Sequence, residues 1–303
     1  METFWGIDLG GTKIEVAVLS QIYPPQVICR KRIPTESQQG YRHILHRIGE
    51  LLELVKAETG LKPTRIGIGT PGTLDPQTQR MKNCNTTCLN GQPLLADLEE
   101  LIGVPVRMAN DANCFALAEA RMGAAAEVVA AGGVVFGIIM GTGVGGGVVV
   151  NGQVLNGLQG IGGEWGHNFL DASGGPCYCG LEGCVETVIS GPALEQYYLR
   201  HAGAARPLPE IVQRHLQGSD EVATATINRL LYFFGRGVAQ VINLIDPHAV
   251  VIGGGLGNID LLYTEGVRHA EQFVFNQRLE TRFLKPKLGD SAGVFGAASL
   301  LLS

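Results

Sequence analysis

Between Cys177 and Cys184 the chain reads Cys-Tyr-Cys-Gly-Leu-Glu-Gly-Cys, and His167 stands ten residues before the first thiol. Three soft thiolates and an imidazole complete a tetrahedral Zn2+ shell with no open position. The metal predicted from His167, Cys177, Cys179 and Cys184 is therefore structural, and it anchors the loop that leads to Glu186. Gly180 and Gly183 let so short a loop turn its sulfurs inward. Free reduced thiols are the alternative reading. Cys29, Cys84, Cys88 and Cys114 read as ordinary thiols, with Cys84 and Cys88 a lesser alternative metal pair.

Asn110 and Asp111 lie between a strand, VPVRM, and a helix, ANCFALAEA. Either could simply cap that helix. A carboxylate there could also take the proton from an attacking hydroxyl, as phosphoryl transfer requires, while positioning and Mg2+ supply most of the acceleration. Three glycine clusters offer phosphate chemistry of a matching kind. Asp8 ends a strand and leads into Gly10, Gly11, Thr12 and Lys13, where backbone N–H groups, a hydroxyl and a cation follow one another. The spacing is not that of a P-loop, and the next residues, IEVAVL, alternate as a strand. GTGVGGG, Gly141 to Gly147, also runs into a strand, which excludes a dinucleotide fingerprint. Gly253 to Gly255 follow the buried strand AVVI. Any one cluster is no more than a tight turn, but three at strand ends fit a nucleotide lying against backbone amides.

The elements that must position these groups are legible from periodicity. Phe4 to Leu9, Ile14 to Leu19 and Gln26 to Ile33 read as an antiparallel meander. Ile44, Ile48, Leu51, Leu52 and Val55 share one face of a helix that Gly60 stops. A strand from Arg65 to Gly69, a helix from Leu94 to Ile102, a strand from Val104 to Met108 and a helix from Ala112 to Met122 follow. Val134 to Met140, a glycine turn and Gly147 to Val150 then repeat the opening strand, turn and strand, a weak internal duplication. Helices near Gly191 to Arg200, Asp220 to Leu244 and Asp260 to Phe275, with a strand from Ala249 to Ile252, complete the pattern.

At 303 residues the chain is long enough for two ordinary cores, and its 43 glycines, about twice an average share, call for the turn chemistry above. A net charge of −5 argues against a nucleic-acid or anionic membrane partner. Val128 to Val150 is uncharged and long enough to span a bilayer, yet its glycines make it two strands. The first residues lack the pattern of a signal peptide, which predicts a cytoplasmic chain with reduced cysteines.

Together these residues resemble the ROK family of sugar kinases and repressors, nearly end to end. The matched motifs are DLGGTK, GTPG (69–72), NDAN (110–113), GTGVGGG, GEWGH (163–167), CYCGLEGCVE (177–186) and IGGG (252–255), in order and in spacing. The resemblance implies an α/β fold of two actin-like, duplicated ribonuclease H-like lobes with an active-site cleft between them. Residues 1–122 would form the smaller lobe and 123–290 the larger, zinc-binding one, with a helix over about 291–303 packing back on the first. It further implies Asp111 as catalytic base, with Gly72, Asn85, Asn110, Glu164, His167 and Glu186 also on the sugar. His167 would serve twice, with one ring nitrogen on zinc and the other toward the sugar. Asp8, Gly10, Gly11, Thr12, Lys13, Gly141, Thr142, Gly143, Gly254 and Gly255 would hold ATP, with Asp8 near Mg2+. The family often has Gly where this chain has Tyr178, which leaves all three thiols in place.

Lys82 to Leu94, together with GEWGHN, is most similar to the fructokinase and mannokinase branch. The implied reaction is fructose and ATP to fructose 6-phosphate and ADP, with mannose or glucose as weaker acceptors. N-acetylglucosamine kinase and glucokinase are the alternatives within the family, since they share the catalytic frame. A sugar-responsive repressor is the alternative of another class. It is disfavoured because a strand begins at Phe4 with no helix-turn-helix before it. The family also makes a homodimer the expected assembly.

Overall fold

The computed structural model describes residues 2–302. In chain order the strands are β1 (Phe4–Leu9), β2 (Lys13–Gln21), β3 (Gln26–Pro34), β4 (Ile66–Thr70), β5 (Thr73–Leu74), β6 (Met81–Lys82), β7 (Val106–Asn110), β8 (Val134–Met140), β9 (Val144–Val150), β10 (Gln153–Val154), β11 (Ala249–Gly253) and β12 (Arg282–Leu284). The helices are α1 (Tyr41–Thr59), α2 (Leu94–Ile102), α3 (Asp111–Arg121), α4 (Ala126–Ala130), α5 (Val185–Ile189), α6 (Gly191–Ala202), α7 (Leu208–Leu216), α8 (Glu221–Ile245), α9 (Glu265–Glu271) and α10 (Ala292–Ser299).

Two five-stranded sheets carry the α/β fold, in the orders β3-β2-β1-β4-β7 and β10-β9-β8-β11-β12. Each centres on the strand that precedes a glycine turn, β1 or β8, with its hairpin partner on one side and later strands on the other. The duplication read from the sequence is thus a duplication of sheet order. The chain forms two compact units, residues 1–132, 147–163 and 287–303 in one, and 133–146 and 164–286 in the other. The helix expected over about 291–303 falls in the first unit, and residues 147–163 join it as well.

In the first unit β1 is antiparallel to β2 and parallel to β4, which is parallel to β7. Trp5, Ile7 and Leu9 are buried together with Ile44, Ile48, Leu51 and Leu52 of α1. On the same strands Gly6 is the register partner of Gly67, and the backbone of α10 lies directly on this pair. A Cβ at Gly6 would come within 2.2 Å of Val294 O, and one at Gly67 within 1.8 Å of Ala297 O. Only residues without a side chain admit a helix this close to a sheet. Residues 147–163 belong here because they pack on α3: a Cβ at Gly147 would meet Asn113 Oδ1 at 2.8 Å, and Arg121 Nε donates to Gly152 O at 2.9 Å.

In the second unit β8, β11 and β12 run parallel, Ala249 opposite Val135 on one side and Arg282 on the other. The long helix α8, capped by the Asp220 carboxylate on Ala223 N–H, buries Ile227, Leu230, Phe234 and Val238 along one stripe. The single helix expected over 260–275 is instead a one-turn 3-10 segment, Asp260–Tyr263, followed by α9. Thr264, at φ −117° and ψ −80°, breaks it, and the Tyr263 hydroxyl meets Ile252 O and Gly257 O. Among the described residues no helix is long and apolar enough to cross a membrane.

Candidate functional site

In the first unit the predicted residues gather at the carboxyl ends of β1, β4 and β7. Asp8 and Gly69 are register partners, as are Thr70 and Asn110. Asn110 ends β7 and caps α3, its side chain accepting Ala112 N–H at 2.8 Å, and Asp111 opens the helix with Oδ1 2.7 Å from the same nitrogen. Capping and a base's position are therefore the same geometry here. Burial raises the pKa of Asp111, while the Ala112 N–H and the Asn110 side chain favour its charged form. Asp8 is pushed up to about 6, first by burial and then by the charges of Asp111 and Glu15. Lys13 and Arg32 pull it the other way. A carboxylate strained in this way suits a hard cation such as Mg2+, which takes oxygen donors and restores the missing positive charge.

The turn after β1 closes through Gly10 N–H on Lys13 O at 3.0 Å. A Cβ at Gly11 would lie 3.1 Å from Thr86 Oγ1, so this turn runs beside the loop that holds Asn85. Gly72 joins them, since its missing Cβ would fall 2.4 Å from Cys84 Sγ and Thr70 Oγ1 donates to Gly72 O at 2.9 Å. Asp8, Gly10, Gly11, Gly72, Asn85, Asn110 and Asp111 are thus brought into one region of this unit. Two further residues border this region. Gly293 of α10 leaves room for the Asp8 carboxylate, where a Cβ would sit 2.9 Å from Oδ2. Asn113 Oδ1 is buried without a partner. Asn113 was visible as part of NDAN, whereas nothing local marks Gly293.

The second unit holds a cavity of about 820 Å3 lined by Gly141, Thr142, Gly191, Gly255, Asn258 and the apolar flank of Leu208, Val212 and Leu216. Its size and its mix of glycine backbone with apolar wall suit a nucleoside. Gly141 and Thr142 come from the turn after β8, whose Gly141 N–H closes on Gly143 O at 2.9 Å as Gly10 does on Lys13. Gly254 does not line the cavity; its φ of +78° and an approach of 2.2 Å between its would-be Cβ and Met140 O make the turn that presents Gly255. Helix α7, which forms the apolar wall, was not predicted. Leu208 and Ile211 face inward, but in nine residues between loops their spacing is a weak signal.

Glu186 opens the last turns before α6, and its Oε2 accepts Val144 N–H at 2.9 Å beside Gly143. His167 ends a 3-10 turn, Trp165–His167, that follows Glu164. Buried Trp165 fixes this turn by donating to Gly237 O at 3.1 Å and meeting Phe136 edge-on. The ligand atoms of His167, Cys177, Cys179 and Cys184 all lie within 4.8 Å of one another. His167 Nδ1 is 3.7 Å from Cys177 Sγ, and Cys179 Sγ is 3.6 Å from Cys184 Sγ. A tetrahedron with metal–sulfur bonds of about 2.3 Å has edges of about 3.8 Å. A disulfide needs about 2.05 Å between sulfurs, so these are free thiols spaced for a cation. Gly183, at φ +70°, has no room for a Cβ against Asp171 O at 2.5 Å. In His167, Nδ1 is the ring nitrogen that faces the thiols. Its Nε2 meets the Tyr178 hydroxyl at 3.1 Å.

A family model described as "ROK family" matches residues 4–303. The chain is 36% identical over 310 residues to an N-acetyl-D-glucosamine kinase of Yersinia pseudotuberculosis, covering 99% of each. Its structure is similar to that of a ROK hexokinase from Thermus thermophilus, with a TM-score of 0.87, 31% identity, and 99% and 97% of the two chains covered. It is also similar to a ROK family glucokinase from Streptomyces griseus in complex with glucose and AMPPNP, with a TM-score of 0.80, 26% identity and 99% of each chain covered.

Proposed function

The chain belongs to the ROK family, and from that premise we propose that it is a sugar kinase that passes the γ-phosphate of ATP to N-acetylglucosamine. The observation that carries the acceptor is the 36% identity, end to end, with an N-acetyl-D-glucosamine kinase. The fructose expected from Lys82 to Leu94 has less support, because that segment is one loop whereas the identity spans the chain. Glucose is the second reading, favoured by the likeness to a hexokinase and a glucokinase.

Asp111 accepts the proton of the attacking hydroxyl, and the α3 N-terminus and Ala112 N–H hold the charge it carries before transfer. Asp8 would hold the Mg2+ that accompanies ATP, with Thr12 and Lys13 toward the phosphates, and the ion would supply positive charge for phosphoryl transfer. Gly72, Asn85 and Asn110 bind sugar hydroxyls beside Asp111; Glu164, His167 and Glu186 are the further candidates for sugar hydroxyls that the family resemblance implies. The cavity beside Thr142 and Gly255 takes the nucleoside. His167, Cys177, Cys179 and Cys184 would hold a zinc ion, which would close the loop before Glu186 and orient the His167 ring.

A coupled ADP-release assay over N-acetylglucosamine, glucose, mannose and fructose tests the acceptor. The expected order of kcat/KM puts N-acetylglucosamine first by at least about tenfold, a difference of about 1.4 kcal/mol in transition-state binding. Preference for fructose would overturn the acetamido reading and leave the kinase reading standing.

A further inference from the structure

Glu119 lies about two turns along α3 from Asp111. It is wholly buried, and none of the roles above uses it. A carboxylate taken out of water is costly unless its oxygens are supplied with donors. Here the donors are backbone N–H groups. Oε2 takes Ala124 N–H at 2.8 Å, Oε1 takes Leu288 N–H at 2.9 Å, and Lys287 N–H lies 3.1 Å from both oxygens. Both oxygens accept and neither gives, so an amide of the same size would set its NH2 against one of these N–H groups. Gly123 makes the room, since a Cβ there would fall 2.0 Å from Oε2. Lys287 and Leu288 lead, through a 3-10 turn at Gly289–Ser291, into α10. Helix α3 meets α10 again where a Cβ at Gly296 would come within 1.8 Å of Cys114 O, and at its end, where Arg121 Nη1 donates to Ser299 O. Glu119 is thus the clamp at the entry of α10. Gly293, in the first turn of that helix, is the residue whose missing Cβ leaves room for the Asp8 carboxylate.

We infer that Glu119 is a positioning residue for the divalent-cation site: by fixing the backbone that enters α10, it sets the gap between Gly293 and the Asp8 carboxylate, and with it the affinity of Asp8 for the cation. The inference rests on the sugar-kinase reading, which assigns Asp8 to Mg2+. On the sheet side α10 is seated by backbone against backbone, at Gly6 and Gly67, where no side chain can take up a shift. A displacement at its entry is therefore carried along the helix to Gly293, because close-packed interiors transmit strain.

The test uses the full-length protein with AMPPNP and Mn2+, an oxygen-seeking substitute for Mg2+ whose free form is counted by electron paramagnetic resonance. In Glu119→Gln the Mn2+ Kd should rise about 3- to 10-fold, while the calorimetric Kd for N-acetylglucosamine stays within about twofold of the parent. The Mg2+ concentration for half-maximal turnover should rise by the same factor, with kcat at saturating Mg2+ within about threefold of the parent. Gly293→Ala, which crowds Asp8 directly, should weaken Mn2+ at least as much. If Glu119→Gln does not fold, Glu119→Asp, which keeps two acceptor oxygens on a shorter stem, takes its place with the same expectations. A Glu119 variant that melts earlier yet binds Mn2+ with the parent's affinity would make Glu119 a structural residue only and overturn the inference. Parent affinity for Mn2+ in Gly293→Ala would overturn it as well. Parent protein that transfers phosphate to no hexose would bring down the kinase reading together with the inference, whereas an active parent and a variant of equal Mn2+ affinity sink the inference alone.

Discussion

Asp111 stands where two demands meet. A helix N-terminus takes an acceptor, and the proposed phosphoryl transfer needs a base; a carboxylate whose Oδ1 takes Ala112 N–H is of a kind to serve both. Replacing Asp111 with Asn keeps the size and the capping oxygen but removes the base. Turnover should fall by about 100- to 10,000-fold, the range of a lost general base, with calorimetric sugar binding largely kept. Undiminished turnover would remove Asp111 from the mechanism. The residue pair was legible from sequence because a strand end, Asn110-Asp111 and an alanine-rich helix are contiguous. What sequence did not show is that Asp8 shares its electrostatic surroundings with Asp111, since they lie over a hundred residues apart.

At the scale of elements, the loop from His167 to Cys184 turns back on itself through the short bridges Phe169–Cys184 and Pro176–Glu182, with Cys177 N–H on Leu181 O and Gly183 N–H on Gly175 O, both at 2.8 Å. Under the proposed function a structural cation on its four ligand residues adds to that stability. Metal analysis of purified protein should find about one zinc per chain. Chelation should lower the melting temperature and expose three further thiols to a thiol reagent, and a metal-free, fully active protein would contradict this account. The cysteine spacing pointed to the four residues whose ligand atoms cluster here. Helix α7 was not announced, because its nine residues carry only two well-buried apolar side chains. The helix expected over 260–275 is broken at Thr264, whose non-helical backbone periodicity does not reveal.

For the whole molecule, a ligand that binds only the folded chain adds stability by mass action, about 2.7 kcal/mol at one hundred times its Kd. N-acetylglucosamine at that excess should raise the melting temperature by several °C, and fructose at equal concentration by less. The absence of a shift with any hexose would count against the proposed function. Sequence alone determined the family, because glycine turns at strand ends, the Asn-Asp pair and the cysteine set are written in short spacings. Tertiary structure alone decided what each glycine was for. Gly6 and Gly67 look like ordinary strand residues until α10 is seen lying on them, and residues 147–163 join the first unit only through their packing on α3. Close approach between distant segments is set by the shapes of both partners, and a sequence read locally holds only one of them at a time.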